Sequence, residues 1–417
     1  MSDPPHSPLP EQDRTVLRDL ARRVAELAAQ PEMTERLNRW KRHNALQPGR
    51  PMLMIWPEGS WRELLPPESL VCHTPETRDM EAALRRRIYA AEHFCDDMPV
   101  LADWPVAKAI RETGWGLEPQ RTPSTEKHGA WKFKPVIHSA QDLKKLRVPQ
   151  ISHDEAASQA ALQRNQDLFG DILDVKLTGR GGTGFSLMAQ YTALRGLEEV
   201  MMDMVEQPEM LHEAMSFLEN AHRSRIRQLE AMNLLGLNNR YAKVSSGGTG
   251  YTDELPSPGF DGQHVRLRDL WGWCESQEMA QVSPAMHAEF VMQYEGRLLE
   301  PFGLTGYGCC EDLTPKLDLV FEHIPHLRRV SISPWANVAR CAEKIKRRCI
   351  LSWKPQPAML VGEFNTKAIR QHIREAIAAA QGCPMEMTLK DTHTCENKPE
   401  RFDIWTRIAR EEIERAS

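Results

Sequence analysis

Short apolar or β-branched runs alternate with amphipathic stretches along most of this chain, and that alternation constrains the fold more than any other feature. The candidate strands are MLMIW (52–56), PVLADW (99–104), LDVKLTG (173–179), YAKVSS (241–246), MAQVS (279–283), LTGYGCC (304–310), RRVSIS (328–333), CILSW (349–353) and MEMTLKD (385–391). Helical segments lie between them, among them EAALRRRIYAAEHF, LTPKLDLVFEHI and NTKAIRQHIREAIAAAQ. A strand followed by a helix, repeated, builds a parallel sheet, because each crossover must return the chain to the same end. Roughly eight such units point to a (β/α)8 TIM-type barrel, an α/β fold of about 250 residues that accepts insertions. A doubly wound sheet is the alternative, weakened because no GxGxxG follows the first strand.

The 417 residues leave room for more than a barrel. Helical patterning from Asp13 to Asn44, closed by PGRP (48–51), reads as an N-terminal extension. Residues 1–50 are therefore expected to be a helical, partly disordered extension with a Pro-rich start, and residues 51–417 the barrel. The net charge of −5 is mild and leaves no basic footprint for nucleic acid. The start, MSDPPHSPLPEQDRTVL, lacks the apolar core of a signal peptide, and no apolar run is long enough to cross a bilayer. A soluble, cytoplasmic chain is expected. Nine irregularly spaced cysteines do not make a disulfide framework. Cys72, Cys95, Cys274, Cys341 and Cys349 read as small buried hydrophobes.

In a barrel, chemistry sits at the C-terminal ends of the strands. Those ends present Trp56-Pro57-Glu58, Asp103-Trp104, Arg180-Gly181-Gly182, Ser245-Ser246, Gln281-Ser283, the run Tyr307 to Glu311, Ser333-Trp335, Trp353-Lys354, and Asp391 to Cys395. Soft ligands gather in GYGCCEDL (306–313) and DTHTCEN (391–397). Side chains alternate along extended chain, so Tyr307, Cys309 and Glu311 are expected on one side and Cys310 on the other. Cys309 and Cys395 are the best thiolate pair from two strand ends, with Glu311, His393 and Glu289 as candidates for a further position of an open zinc site. The plainer alternative makes Cys309 a strand-end filler and Cys395 part of a surface loop. Asp103 reads as an acid or as a helix cap, and His287 as a surface residue. TGRGGTGFS (178–186), with Arg180, offers an anion-binding turn or an ordinary βα loop. SSGGTGYTDELPSPGFDGQHVR (245–266) reads as a lid over the mouth or a surface insertion.

IHSAQDLKKLRVP (137–149), VSPAMHAEFVMQYEGRLLEPFG (282–303) and CENKPERFDIWTRIAREEI (395–413) carry a resemblance in order and context. From about Pro51 onward the chain resembles the uroporphyrinogen decarboxylase superfamily. That resemblance implies a (β/α)8 barrel, often a homodimer. It also implies either a cofactor-free decarboxylase or a methyltransferase that works with a corrinoid protein, in some members with zinc. The zinc enzymes carry a His-x-Cys after the helix and a second Cys near the last strand. Tyr307-Gly308-Cys309 matches the first motif and Cys395 the second. Tyr307 stands in for the histidine, which leaves the third ligand open between Glu311 and His393, and leaves open whether the metal is kept.

The decarboxylases grip a polycarboxylate with arginines in the N-terminal loop, whereas MLMIWPEGSW (52–61) offers Glu58 and Trp61 and no arginine before Arg62. The resemblance thus favours the methyltransferase branch, acting on a methylated small molecule. The strand-end reading places Trp56, Glu58, Trp61 and Lys354 around the substrate, and Asp103, Arg180, Tyr307 and Glu311 in catalysis. Zinc would sit at Cys309, Cys395, His393 and Glu311 as a Lewis acid, with cobalamin on a separate corrinoid protein as methyl acceptor or donor. The alternatives are a cofactor-free lyase, in which Asp103, Arg180 and Tyr307 hold and protonate a carbanion, and a ligand-binding barrel without catalysis.

Overall fold

A computed structural model describes residues 9–122 and 132–416. Residues 1–8, which carry most of the Pro-rich start, lie outside the described residues. The barrel strands are β1 (Met52–Ile55), β2 (Asp103–Ala107), β3 (Asp174–Thr178), β4 (Gly184–Phe185), β5 (Trp271–Cys274), β6 (Leu304–Tyr307), β7 (Leu327–Ile332), β8 (Ile350–Trp353) and β9 (Met385–Leu389). Seven of them form one parallel sheet in the order β1-β9-β8-β7-β6-β5-β4, and β2 pairs in parallel with β3. Single contacts join these two parts. Asp97 N–H donates to Leu53 O at 2.9 Å beside β1. Arg180 bridges to Leu235 beyond β3. The Asn238 amide donates to Gly181 O at 2.9 Å and to Trp271 O at 3.0 Å. The result is the expected α/β architecture, a TIM-type barrel with one loosely bonded wall.

Two expected strands do not form. YAKVSS is turn and irregular chain, and MAQVS is a turn followed by the start of a helix. In their place WGWC (271–274) is a strand, hidden because its aromatic and glycine residues lack a β-branched signature. The run at 99–104 pairs later than expected, from Asp103 to Ala107. Helical patterning from 197 to 231 splits at Gln207, because Pro208 has no N–H to continue a helix and instead starts a new one.

The interior of this barrel carries a buried polar network beside its apolar floor. Along β7, Val330 and Ile332 join the cluster beneath the helices, and along β9 Met385, Met387 and Leu389 do the same. Alternation then turns Arg329, Ser331, Glu386 and Thr388 inward, all fully buried. Arg329 Nε lies 2.8 Å from Glu386 Oε1.

Two parts of the chain fill this space. The extension forms α1 (Glu11–Ala28) and α2 (Pro31–Asn44). The α1 helix buries Leu17, Ala21, Val24 and Leu27 along one stripe. The end of α2 closes the barrel floor: Trp40 is buried with Met52 and Met54, and Asn44 Oδ1 accepts from Arg329 Nη2 at 2.6 Å. The second filler is the start of the segment expected to be a lid. Residues 245–251 run from the mouth to the floor through the interior. Gly247 O accepts from Thr388 Oγ1 at 2.6 Å, and the Asn44 amide donates to Tyr251 O at 2.8 Å. A side chain at Gly248 would place Cβ 2.1 Å from the Arg329 guanidinium, so only glycine passes there. Polar backbone threaded through the barrel explains the polar inward faces, since each buried carbonyl and N–H needs a partner. Any substrate is thereby confined to the mouth. Among the described residues no helix is long and apolar enough to cross a membrane.

Candidate active site

Strand β6 ends at Tyr307, and Gly308 adopts φ +97°, the left-handed region that glycine tolerates. The chain then bends through Cys309, Cys310 and Glu311. This bend cancels the strand alternation. Tyr307 faces the helical layer, fully buried, with its OH 3.0 Å from His287 Nε2. Cys309 and Cys310 are both partly exposed, with their sulfurs 3.5 Å apart. Glu311 turns back into the interior, where Oε2 accepts the Cys309 N–H at 2.9 Å.

The Cys309 sulfur is set up as an anion. Ser246 Oγ donates to it at 2.9 Å, and Lys354 Nζ donates to Cys309 O at 2.9 Å and also to Ser331 Oγ. The hydrogen bond from the Cys310 thiol is the largest cause holding Cys309 at about 6. Burial opposes it, and the Lys354 charge, Ser246 and Lys390 add to it. The same bond pushes Cys310 up, so the pair holds one thiolate and one thiol at neutral pH. Burial holds Lys354 below the usual lysine range, although the Cys309 charge works against it. Lys390 bonds Asp391 Oδ1 at 2.6 Å. Burial opposes its charge, but Asp391 and Cys309 outweigh that and keep it cationic.

Carboxyl groups stand beside the thiolate. Burial, followed by repulsion from Glu275, Glu311 and Cys309, pushes Glu278 up to about 7, with a backbone hydrogen bond partly opposing. Its buried Oε2 has no hydrogen-bond partner among the described residues. Burial likewise pushes Glu311 up to about 7, helped by Glu275 and Cys309. Behind them the buried Glu295 takes a hydrogen bond from Ser276 Oγ at 2.9 Å.

At the rim Glu58 and Asp391 both have left-handed φ, +47° and +59°. Neither is a glycine, so each conformation costs about 1–3 kcal/mol, and such strain gathers at functional sites. Asp391 N–H donates to Glu58 Oε2 at 2.9 Å, and Lys243 Nζ lies 3.4 Å from Glu58 and 5.4 Å from the Trp56 ring centroid.

Of the residues expected from sequence, Cys309, Glu311, Lys354, Glu58 and Trp56 meet at this mouth. Asp103 does not, because the shifted register makes it the first residue of β2, at the opposite end. Arg180 is held by Glu112 at 2.7 Å and its N–H by Leu234 O, so its turn is engaged within the protein. Tyr307 faces the core. Trp61 packs edge-on against Tyr89. His287 is buried rather than superficial, and Glu289 is exposed, 3.6 Å from His212. Cys95 is exposed, unlike Cys72, Cys274, Cys341 and Cys349.

The zinc set is not brought together either. The buried Cys395 thiol donates to Glu63 Oε2 at 3.0 Å. Burial, then Glu63, pushes Cys395 up to about 11. His393 is exposed, and its carbonyl accepts from Arg62 at 3.2 Å. Among the described residues no three or more His, Cys, Asp or Glu are placed to hold a metal ion. As placed, this donor set does not fit zinc.

Sequence reading missed Glu278, Lys390 and the role of Ser246. The strand-end rule finds Glu278 once WGWC is a strand, because Glu275 to Glu278 follow directly. It finds Lys390 as the residue closing MEMTL. Nothing local signals that Ser246 reaches Cys309, since that contact depends on the threaded segment.

No protein-family model matches this chain, and no curated protein matches it. Among solved structures it is similar to a methyltransferase from Methanosarcina mazei, with 13% identity and a TM-score of 0.47, over 90% of this chain and 98% of that one.

Proposed function

We propose that this chain is a methyltransferase that takes a methylated small molecule into the barrel mouth, with a separate corrinoid protein as methyl acceptor or donor. One observation carries the reading: Glu278 holds a buried carboxyl oxygen without a hydrogen-bond partner among the described residues, and burial with the charges of Glu275, Glu311 and Cys309 pushes it up to about 7. Taking a methyl group from oxygen, nitrogen or sulfur leaves an electron pair on that heteroatom. A carboxylic acid within reach protonates it, a contribution of about 10²–10⁴-fold. The bond from carbon to the heteroatom breaks, its pair stays on the heteroatom, and the Glu278 proton moves there. In the reverse direction the Glu278 carboxylate removes the proton from the incoming group. Glu311, fully buried and accepting the Cys309 N–H, is a second acid pushed up to about 7. The Cys309 charge opposes ionisation of both acids and so keeps a proton available, while Lys354 and Lys390 balance that charge. A corrinoid supplies the strong nucleophile that an unactivated methyl donor requires; no residue of this chain is assigned to hold it.

The test is methyl transfer from an aryl methyl ether, a methylated amine or a methyl thioether to chemically reduced cobalamin, followed by visible absorbance. One donor class should methylate the cobalamin, and Glu278→Gln should slow that reaction about 10²-fold or more. Folded protein that transfers from none of the three overturns the reading, and release of carbon dioxide from a carboxylated donor would establish lyase chemistry in its place.

A further inference from the structure

The geometry points to Cys309 and Cys310 as a peroxide-oxidisable pair that closes reversibly to a disulfide between sequence neighbours at the mouth. Adjacent cysteines on extended chain point apart and cannot meet. Here the left-handed Gly308 and the bend after it place the two sulfurs 3.5 Å apart, so they need to approach by only about 1.5 Å to reach the disulfide length of about 2.05 Å. Both are partly exposed, which admits a small oxidant. Their roles differ. Cys309 receives the Ser246 hydroxyl, and Lys354 Nζ lies 2.9 Å from its carbonyl oxygen, so it is the attacking sulfur. Cys310 lies 3.9 Å from the Asp391 carboxylate, which can take its proton. An accessible, activated cysteine next to a resolving cysteine is the arrangement that redox-responsive sites use.

The chemistry balances with hydrogen peroxide as oxidant. The Cys309 sulfur attacks one peroxide oxygen, the O–O bond breaks, and the departing hydroxide takes a proton to become water. Cys309 is then a sulfenic acid. The Cys310 thiol gives up its proton, its sulfur attacks the Cys309 sulfur, and the S–O bond breaks to release a second water. The two thiols lose two electrons and the peroxide gains them. A dithiol reductant reverses the closure by exchange. A strained, exposed disulfide of this kind is expected to be readily reduced.

That closure switches off methyl transfer rests on the function proposed above; formation of the disulfide does not. The experiment therefore reads the bond directly. The full-length chain is treated with peroxide, alkylated, digested and analysed by mass spectrometry, with Cys310→Ser and Cys309→Ser alongside. In wild type the peptide carrying both cysteines should lose two hydrogens and resist alkylation until dithiothreitol restores two alkylation sites. In Cys310→Ser, Cys309 should proceed to the sulfinic acid, which dithiothreitol does not reverse. In Cys309→Ser, Cys310 should remain alkylatable. The inference is overturned if both thiols stay alkylatable in peroxide-treated wild type, or if wild type forms as much sulfinic acid as Cys310→Ser. A disulfide in a chain with no transferase activity would overturn the proposed function and leave the pair established.

Discussion

Because Gly308 takes φ +97°, the side chains after it escape the alternation of an extended strand, and Cys309 and Cys310 come to share the mouth while Tyr307 stays in the core. The resulting thiolate acts on its neighbours through charge. Glu278 and Glu311 must be protonated to serve as acids, so activity should fall as pH rises through about 7. A negative neighbour raises the pKa of an acid, so removing it lowers that pKa. Cys309→Ser should therefore move the alkaline limb of the kcat/KM profile to lower pH. A limb that stays in place would show that the thiolate does not hold these acids protonated.

Segment 245–251 shows how an element gains its role from what surrounds it. Its Gly-rich composition suits a lid, yet the same small residues let it thread the barrel beside Arg329 and Thr388. Gly248→Ala should force Cβ onto the guanidinium and destabilise the fold by about 1–3 kcal/mol or more, the usual cost of overpacking. Gly49→Ala, where nothing lies within 4 Å of the added carbon, should change stability by only about 0.5 kcal/mol or less. Urea denaturation of the two variants measures the difference. Strand β5 makes the complementary point. WGWC buries all four residues between β4 and β6, so packing on both sides keeps it a strand despite Gly272.

Across the whole molecule, the threaded segment and α2 turn the barrel interior into a polar core tied together by Arg329 and Glu386. Both side chains are fully buried, and Asn44 Oδ1 accepts from Arg329 Nη2, while among the described residues Nη1 has no hydrogen-bond partner. Burial disfavours the Glu386 carboxylate, but the Arg329 charge and then His43 hold it below its usual range. Arg329→Met should cost about 3–5 kcal/mol, since it leaves a buried charge uncompensated. Arg329→Met/Glu386→Leu should recover part of that loss, and chemical denaturation of the single and double variants reads both values. A double variant no more stable than the single one would mean that the pair's hydrogen bonds to α2, not its charge balance, hold the floor.

What the sequence determined by itself was the layered plan: a helical extension, then strands and helices in alternation around a barrel whose strand ends carry Cys309, Glu311, Lys354, Glu58 and Trp56. Those features are legible because periodicity and breaker residues act over a few neighbours in the chain. Only the tertiary structure decided that Cys395 bonds Glu63 instead of joining Cys309, that Asp103 lies at the opposite end, that Glu278 acts with the mouth's charges, and that Ser246 donates to Cys309. Each of those outcomes turns on register, a single backbone angle or a contact between distant segments. A one-residue shift, or one left-handed φ, redirects a side chain completely while leaving the local pattern of apolar and polar residues unchanged.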